Sequence, residues 1–201
     1  MADALGAISL FHPCDYEQKI ELCPGIHVRF RDVGHLLGSS SIEIWIEEDG
    51  VSKKIVFSGD IGNTNQPLIK DPLYVDDADY VVMESTYGNR SHDQGISLLD
   101  CKSELKQILK ETLAAGGNLV IPCFAVGRTQ EILYFLRQLK VDHELPEFEH
   151  TEVFVDSPLA VEATNIFMTN TQECFDEEAM ALVRQGINPI RFPGLRLSVS
   201  V

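Results

Sequence analysis

The run Val33-Gly34-His35-Leu36-Leu37-Gly38-Ser39-Ser40 is answered by Phe57-Ser58-Gly59-Asp60-Ile61-Gly62 and then by Met83-Glu84-Ser85-Thr86-Tyr87-Gly88. These segments supply one histidine and two carboxylates, each at the end of an apolar, strand-like run with glycine close by. Neutral imidazole suits zinc or a similar first-row ion, a carboxylate can span two such ions, and glycine lets the backbone approach a metal unobstructed. Taken singly, His35 reads as a structural histidine and Asp60 as a turn residue or helix cap. Their joint occurrence with Glu84, in this order and each behind a strand, points instead to a metal-assisted hydrolase. One histidine and two acids do not close a two-metal site, so the set reads as part of an active site.

Around these segments the hydrophobic pattern gives strands first and a strand and helix alternation afterwards. His27 to Asp32 alternates, with Val28 and Phe30 opposite His27, Arg29 and Arg31. Ile42, Ile44 and Ile46 repeat the pattern against Glu43, Trp45 and Glu47. Glu48-Asp49-Gly50 predicts a hairpin turn into Lys53 to Phe57. Ile55 to Phe57, Tyr80 to Met83 and Leu119 to Ile121 are short and continuously apolar, as expected of strands buried on both faces.

A helix is predicted between the last two runs, opened by Ser97 with Asp100 as a capping box and closed by Gly116-Gly117. Leu98, Cys101, Leu105, Ile108 and Thr112 form its apolar face. A second helix runs from about Gly127 to Lys140 with Ile132, Phe135, Leu136 and Leu139 inward. The polar stretch Val141 to Thr151 reads as a linker. Val153 to Val155 then reads as a strand, Ala160 to Thr169 and Phe175 to Gln185 as helices, and Pro189 to Val201 as an extended tail. In that tail Leu195, Leu197, Val199 and Val201 alternate up to the last residue.

The 201 residues, 44% of them apolar, are enough for a core, and a charged fraction of 23% is ordinary for a globular chain. No stretch approaches the roughly 18 apolar residues of a membrane span, so no membrane partner is expected. Five cysteines, Cys14, Cys23, Cys101, Cys123 and Cys174, contain no CxxC pair, which argues against a disulfide framework and a cysteine zinc site and favours a cytoplasmic setting. The formal net charge is −15. A polyanionic substrate must therefore be drawn by local groups and bound metal rather than by the chain as a whole.

Five motifs, GHLLGSS (34–40), FSGDIGN (57–63), ESTYGNR (84–90), GGNLVIPCFAVGRTQE (116–131) and VDSPLA (155–160), resemble in order the β-CASP branch of the metallo-β-lactamase superfamily. That branch contains RNA-processing nucleases, including bacterial and archaeal relatives of the cleavage and polyadenylation endonuclease. The similarity runs from about Leu5 to Val201. It implies an α/β fold: a partial metallo-β-lactamase αββα domain over 1–138, followed by the beginning of an inserted β-CASP domain over 139–201.

The resemblance also implies roles. His35 matches a metal-binding histidine, Asp60 the aspartate that bridges two zinc ions, and Glu84 the acidic residue that holds a catalytic histidine from a later segment. The implied activity is zinc-dependent hydrolysis of RNA phosphodiester bonds. The HxHxDH signature that family members carry upstream has no match here, and neither do two later histidine motifs. The chain is therefore expected to be a central fragment of a longer enzyme, binding metal weakly, inactive alone, and inclined to self-associate through uncovered apolar sheet surface.

Three further residues are candidates for substrate contact. Arg128 opens a helix, where the dipole disfavours a cation; either a bound phosphate or a structural salt bridge resolves that mismatch. Ser157 either touches phosphate or caps the helix that starts at Pro158. Tyr87 either stacks a base or packs after its strand. Two other readings of the whole stay open: a non-catalytic scaffold subunit, against which the retention of His35, Asp60 and Glu84 weighs, and a hydrolase of small esters or thioesters, against which the motifs from Gly116 onward weigh.

Overall fold

The computed structural model describes residues 2–90 and 98–198. The predicted capping residue Ser97 and the end of the alternating tail, Val199 and Val201, lie outside the described residues. Two compact units are present. The first comprises Met1–Val33, Ser39–Ile61 and Leu73–Glu84, the second Gly34–Gly38, Gly62–Pro72 and Ser85–Val201.

The first unit holds a short helix α1 (Ala2–Ile8) and a five-stranded sheet in the order β1-β2-β3-β4-β5. The strands are β1 (Ile20–Cys23), β2 (Ile26–Asp32), β3 (Ser40–Glu48), β4 (Val51–Phe57) and β5 (Tyr80–Val82). β1 to β4 are antiparallel neighbours, and β5 pairs with β4 in parallel. The predicted hairpin forms: β3 and β4 are joined by Asp49 and Gly50, with φ of 50° and 76°. Positive φ at both central residues is the two-residue turn whose twist matches that of the strands.

Register aligns Val28, Ile44 and Ile55 on one face and Arg29, Glu43 and Val56 on the other. Alternation predicts a solvated polar face, yet Glu43 is fully buried there. Its carboxylate pairs with Arg29 Nε at 2.5 Å and Lys54 Nζ at 2.6 Å. Burial pushes the Glu43 carboxyl upward, but hydrogen bonds from Arg29 and Lys54 outweigh it and hold the group below the ordinary carboxylate range. Trp45, the sole tryptophan, lies on the same face with Lys19 Nζ 4.3 Å and Lys54 Nζ 5.2 Å from its ring centre.

The second unit is built around α3 (Arg128–Val141), preceded by α2 (Leu98–Ala114) and followed by β6 (Val153–Val155), α4 (Pro158–Thr169), α5 (Thr171–Cys174), α6 (Glu177–Arg184) and β7 (Leu195–Leu197). β6 and β7 form a parallel pair, which turns the predicted extended tail into a strand. Leu133, Tyr134, Phe135, Leu136 and Leu139 of α3 are all buried. The helix is thus wrapped on more sides than its single predicted stripe.

Four expectations are corrected. The buried stripe of α2 follows Leu105, Leu109 and Leu113 at intervals of four residues, while Cys101 and Ile108 are exposed. This row joins three leucines and buries more apolar area than a face shared with Cys101 and Thr112. Val141 to Thr151 is no free linker, because Leu145 and Phe148 belong to the unit's core and a 3-10 turn spans Pro146–Phe148. Leu119 to Ile121 is not a strand: no described strand pairs with it, and Val120 is 85% exposed. β5 does form, but as the sheet's edge, with Val81 61% exposed rather than buried on both faces.

Candidate active site

In the first unit, the parallel pairing of β4 and β5 sets Phe57 opposite Val82, so Asp60 and Glu84 follow neighbouring strands at the same end of the sheet. The two exit loops are tied together. Ser58 N–H donates to Val82 O at 2.9 Å, and the Ser58 hydroxyl accepts the Glu84 N–H at 3.0 Å while donating to Gly59 O at 2.7 Å. Ser58 is buried, whereas Asp60 and Glu84 are exposed at the strand ends. Both carboxylates thus rise from a buried, hydrogen-bonded base.

His35 belongs to the second unit and is half-buried. Its backbone is clamped. A Cβ at Gly62 would lie 1.9 Å from Gly34 O and 2.7 Å from His35 N. No side chain fits position 62 without displacing the segment that carries the histidine. A second close approach lies just before α3, where a Cβ at Gly127 would come within 2.4 Å of Leu36 Cδ2.

The α3 N-terminus is organised by buried polar groups. Gly127 N–H donates to Gln130 Oε1 at 2.7 Å, and Gln130 Nε2 reaches Thr164 Oγ1 on α4 at 2.9 Å. Arg128 Nη1 donates to Glu131 Oε2 at 2.6 Å, with the Arg128 side chain 63% exposed and that of Glu131 11% exposed. Arg128 therefore makes the intrahelical salt bridge, its guanidinium still reaching solvent. Burial raises the Glu131 carboxyl above its ordinary value, opposed by the charges of Arg128 and His35. Glu131 had no role in the sequence reading. Its signal was an acidic residue four positions before Phe135, on a face of α3 that goes inward.

Ser157 caps α4, its hydroxyl accepting Ala160 N–H at 3.2 Å. Tyr87 is exposed, with the Arg90 guanidinium 5.6 Å from its ring centre.

Among the described residues no three His, Cys, Asp or Glu side chains converge closely enough to hold a metal ion. The donors His35, Asp60 and Glu84 fit a first-row divalent cation in kind, being imidazole nitrogen and carboxylate oxygen. They do not by themselves make a complete coordination set. No helix among the described residues is long and apolar enough to cross a membrane.

The first unit thus sets two acids at the ends of neighbouring parallel strands of an α/β protein. Comparison with known proteins narrows the class. Residues 129–201 match the Beta-Casp domain. The chain is 34% identical over 195 residues to "Ribonuclease TTHA0252" of Thermus thermophilus, covering 97% of this chain and 42% of that protein. It is 33% identical over 179 residues to "Transcription termination factor FttA" of Methanosarcina mazei, covering 88% of this chain and 27% of that protein. It is also 28% identical to "Endoribonuclease YSH1" of Yarrowia lipolytica, over 95% of this chain and 22% of that protein. The Beta-Casp match thus lies in residues 129–201, and the chain spans about two fifths or less of the length of these relatives.

Proposed function

We propose that the complete protein is a metal-dependent nuclease that hydrolyses RNA phosphodiester bonds. The observation that carries this reading is the pair Asp60 and Glu84, held at one end of two parallel strands through the Ser58 hydroxyl. Support comes from relatives whose names are ribonuclease and endoribonuclease.

In this reading His35 and Asp60 would be the residues of this chain that hold the metal, and Glu84 would orient a histidine that protonates the leaving oxygen. A metal bound there would supply Lewis acidity toward phosphate oxygens and lower the pKa of bound water to about 7. The division of labour follows the chain: residues 1–138 carry the hydrolase residues and 139–201 open the substrate-covering domain. Arg128, on the surface of α3, offers its guanidinium to RNA phosphate, Tyr87 offers an exposed ring to a base, and Ser157 lies at an α4 N-terminus that favours an anion.

The test is Asp60→Ala in the complete protein on a labelled RNA. Hydrolysis should disappear while RNA binding falls little. An active mutant removes Asp60 from the reaction, and an inactive wild type on every RNA tried, with RNA still bound, favours a scaffold subunit instead.

A further inference from the structure

Between Asp60 and β5 the stretch Gly62–Pro72 belongs to the second unit, although the chain on either side of it lies in the first. Part of this loop is strapped to α5 and α6. Lys70 N–H donates to Cys174 O at 2.9 Å, Asp176 N–H donates to Leu68 O at 3.1 Å, and Ile69 pairs with Phe175 as an antiparallel bridge. Asp176 Oδ2 accepts Leu68 N–H at 3.0 Å, while Oδ1 accepts Ala179 N–H at 2.7 Å and so caps α6. Lys70 Nζ donates to Gln172 O at 3.0 Å and to Glu173 O at 2.7 Å. These carbonyls lie at the end of α5, where a helix leaves its acceptors without intrahelical partners. Leu68, Ile69 and Phe175 are all buried.

Both ends of the same loop meet the histidine segment. Gly34, with φ of 57°, would place a Cβ 2.6 Å from Lys70 O and 2.8 Å from Pro72 N. Gly62 makes the close approach to Gly34 O and His35 N described above. The backbone that carries His35 is therefore gripped by the two ends of loop 62–72, and Leu68 to Lys70 fasten that loop to α5 and α6.

We propose that Lys70 is a positioning residue for His35: its amine fixes the loop to the end of α5, and the loop fixes the backbone from which the imidazole projects. Gln172, Glu173 and Cys174 lie within the stretch that matches the Beta-Casp domain, so that stretch acts on the histidine through direct contacts, from the α5 carbonyls to Lys70, to Gly34 and so to His35. The bland alternative is that the strap only stabilises the second unit. That alternative does not account for Lys70 and Pro72 excluding every side chain beside the histidine. This inference rests on His35 being a residue that holds the metal.

The experiment measures Zn(II) affinity of the complete protein by competition with a chromophoric chelator. Lys70→Met should bind Zn(II) about 3- to 30-fold more weakly, with a cooperative thermal transition retained. Lys70→Arg, which can still donate to both carbonyls, should recover most of the affinity. The double mutant His35→Ala/Lys70→Met should bind no more weakly than His35→Ala alone, because Lys70 acts through that histidine. Lys70→Gln gives the same comparison if Lys70→Met does not fold. Unchanged affinity in Lys70→Met, an equal loss in Lys70→Arg, or losses that simply add in the double mutant overturn the positioning role while His35→Ala still weakens binding. Unchanged affinity in His35→Ala overturns the underlying assignment of His35 instead.

Discussion

The Ser58 hydroxyl accepts the Glu84 amide N–H at 3.0 Å and donates to Gly59 O at 2.7 Å. One buried oxygen thus connects the loop bearing Asp60 to the loop bearing Glu84. Ser58→Ala would leave a buried donor and acceptor unmatched. A loss of roughly 1–3 kcal/mol is expected from denaturant unfolding, and nuclease activity of the complete protein should fall further than stability explains. Wild-type stability in this mutant would show that the two loops are held by their backbone pairing alone.

Glycine substitutions should separate by site. Gly62→Ala forces a Cβ to within 1.9 Å of Gly34 O, an overlap with backbone that cannot rotate away, so a loss of roughly 3 kcal/mol is expected. Gly6 lies within α1 with nothing within 4 Å of a Cβ. Gly6→Ala should therefore gain about 0.5–1 kcal/mol of helix stability. Urea unfolding of the two single mutants checks both signs.

Glu43 is fully buried, pairs with Arg29 Nε and also neutralises Lys54. Glu43→Ala leaves Arg29 without its carboxylate partner and Lys54 with Asp77 alone. Removing one member of a buried ion pair costs about 3–5 kcal/mol. A midpoint shift of less than about 1 kcal/mol would mean that water enters and screens the site.

Lys140 gives a pH dependence with a definite sign. Its amine is buried, donates to Thr151 O and lies 4.9 Å from the Phe148 ring centre. Burial lowers its pKa below the ordinary 10.5, against the raising effect of Glu152 and Glu149. Between the lowered folded value and 10.5 the unfolded chain binds more protons, so this group makes stability rise with pH across that window. Below the window the penalty for the buried charge is fully present. The difference in unfolding free energy between wild type and Lys140→Met, measured at pH 7 and pH 10, should shift in favour of the wild type at the higher pH. A pH-independent difference would refute the assignment.

Some of this was open to reading along the chain and some was not. Asp49-Gly50 announced its turn because the required φ values are a property of those two residues. The helix after Gly127 was equally legible, since its apolar residues recur at helical spacing. Leu119 to Ile121 failed because an apolar run states that burial is wanted, not that a partner strand is present. The polar stretch after Val141 hid Leu145 and Phe148, two apolar residues too few to set a period yet both deep in the core.

The sequence by itself determined the chemistry on offer: an imidazole at His35 and carboxylates at Asp60 and Glu84, each placed behind a strand by local patterning. Only the tertiary structure decided which groups stand behind them. Ser58 reaches Glu84 across 26 residues, and the start of α3 at Gly127 comes against Leu36, the neighbour of His35. Periodicity reports which face of one element turns inward, whereas the identity of what it meets there depends on chain closure over distances that no local pattern records.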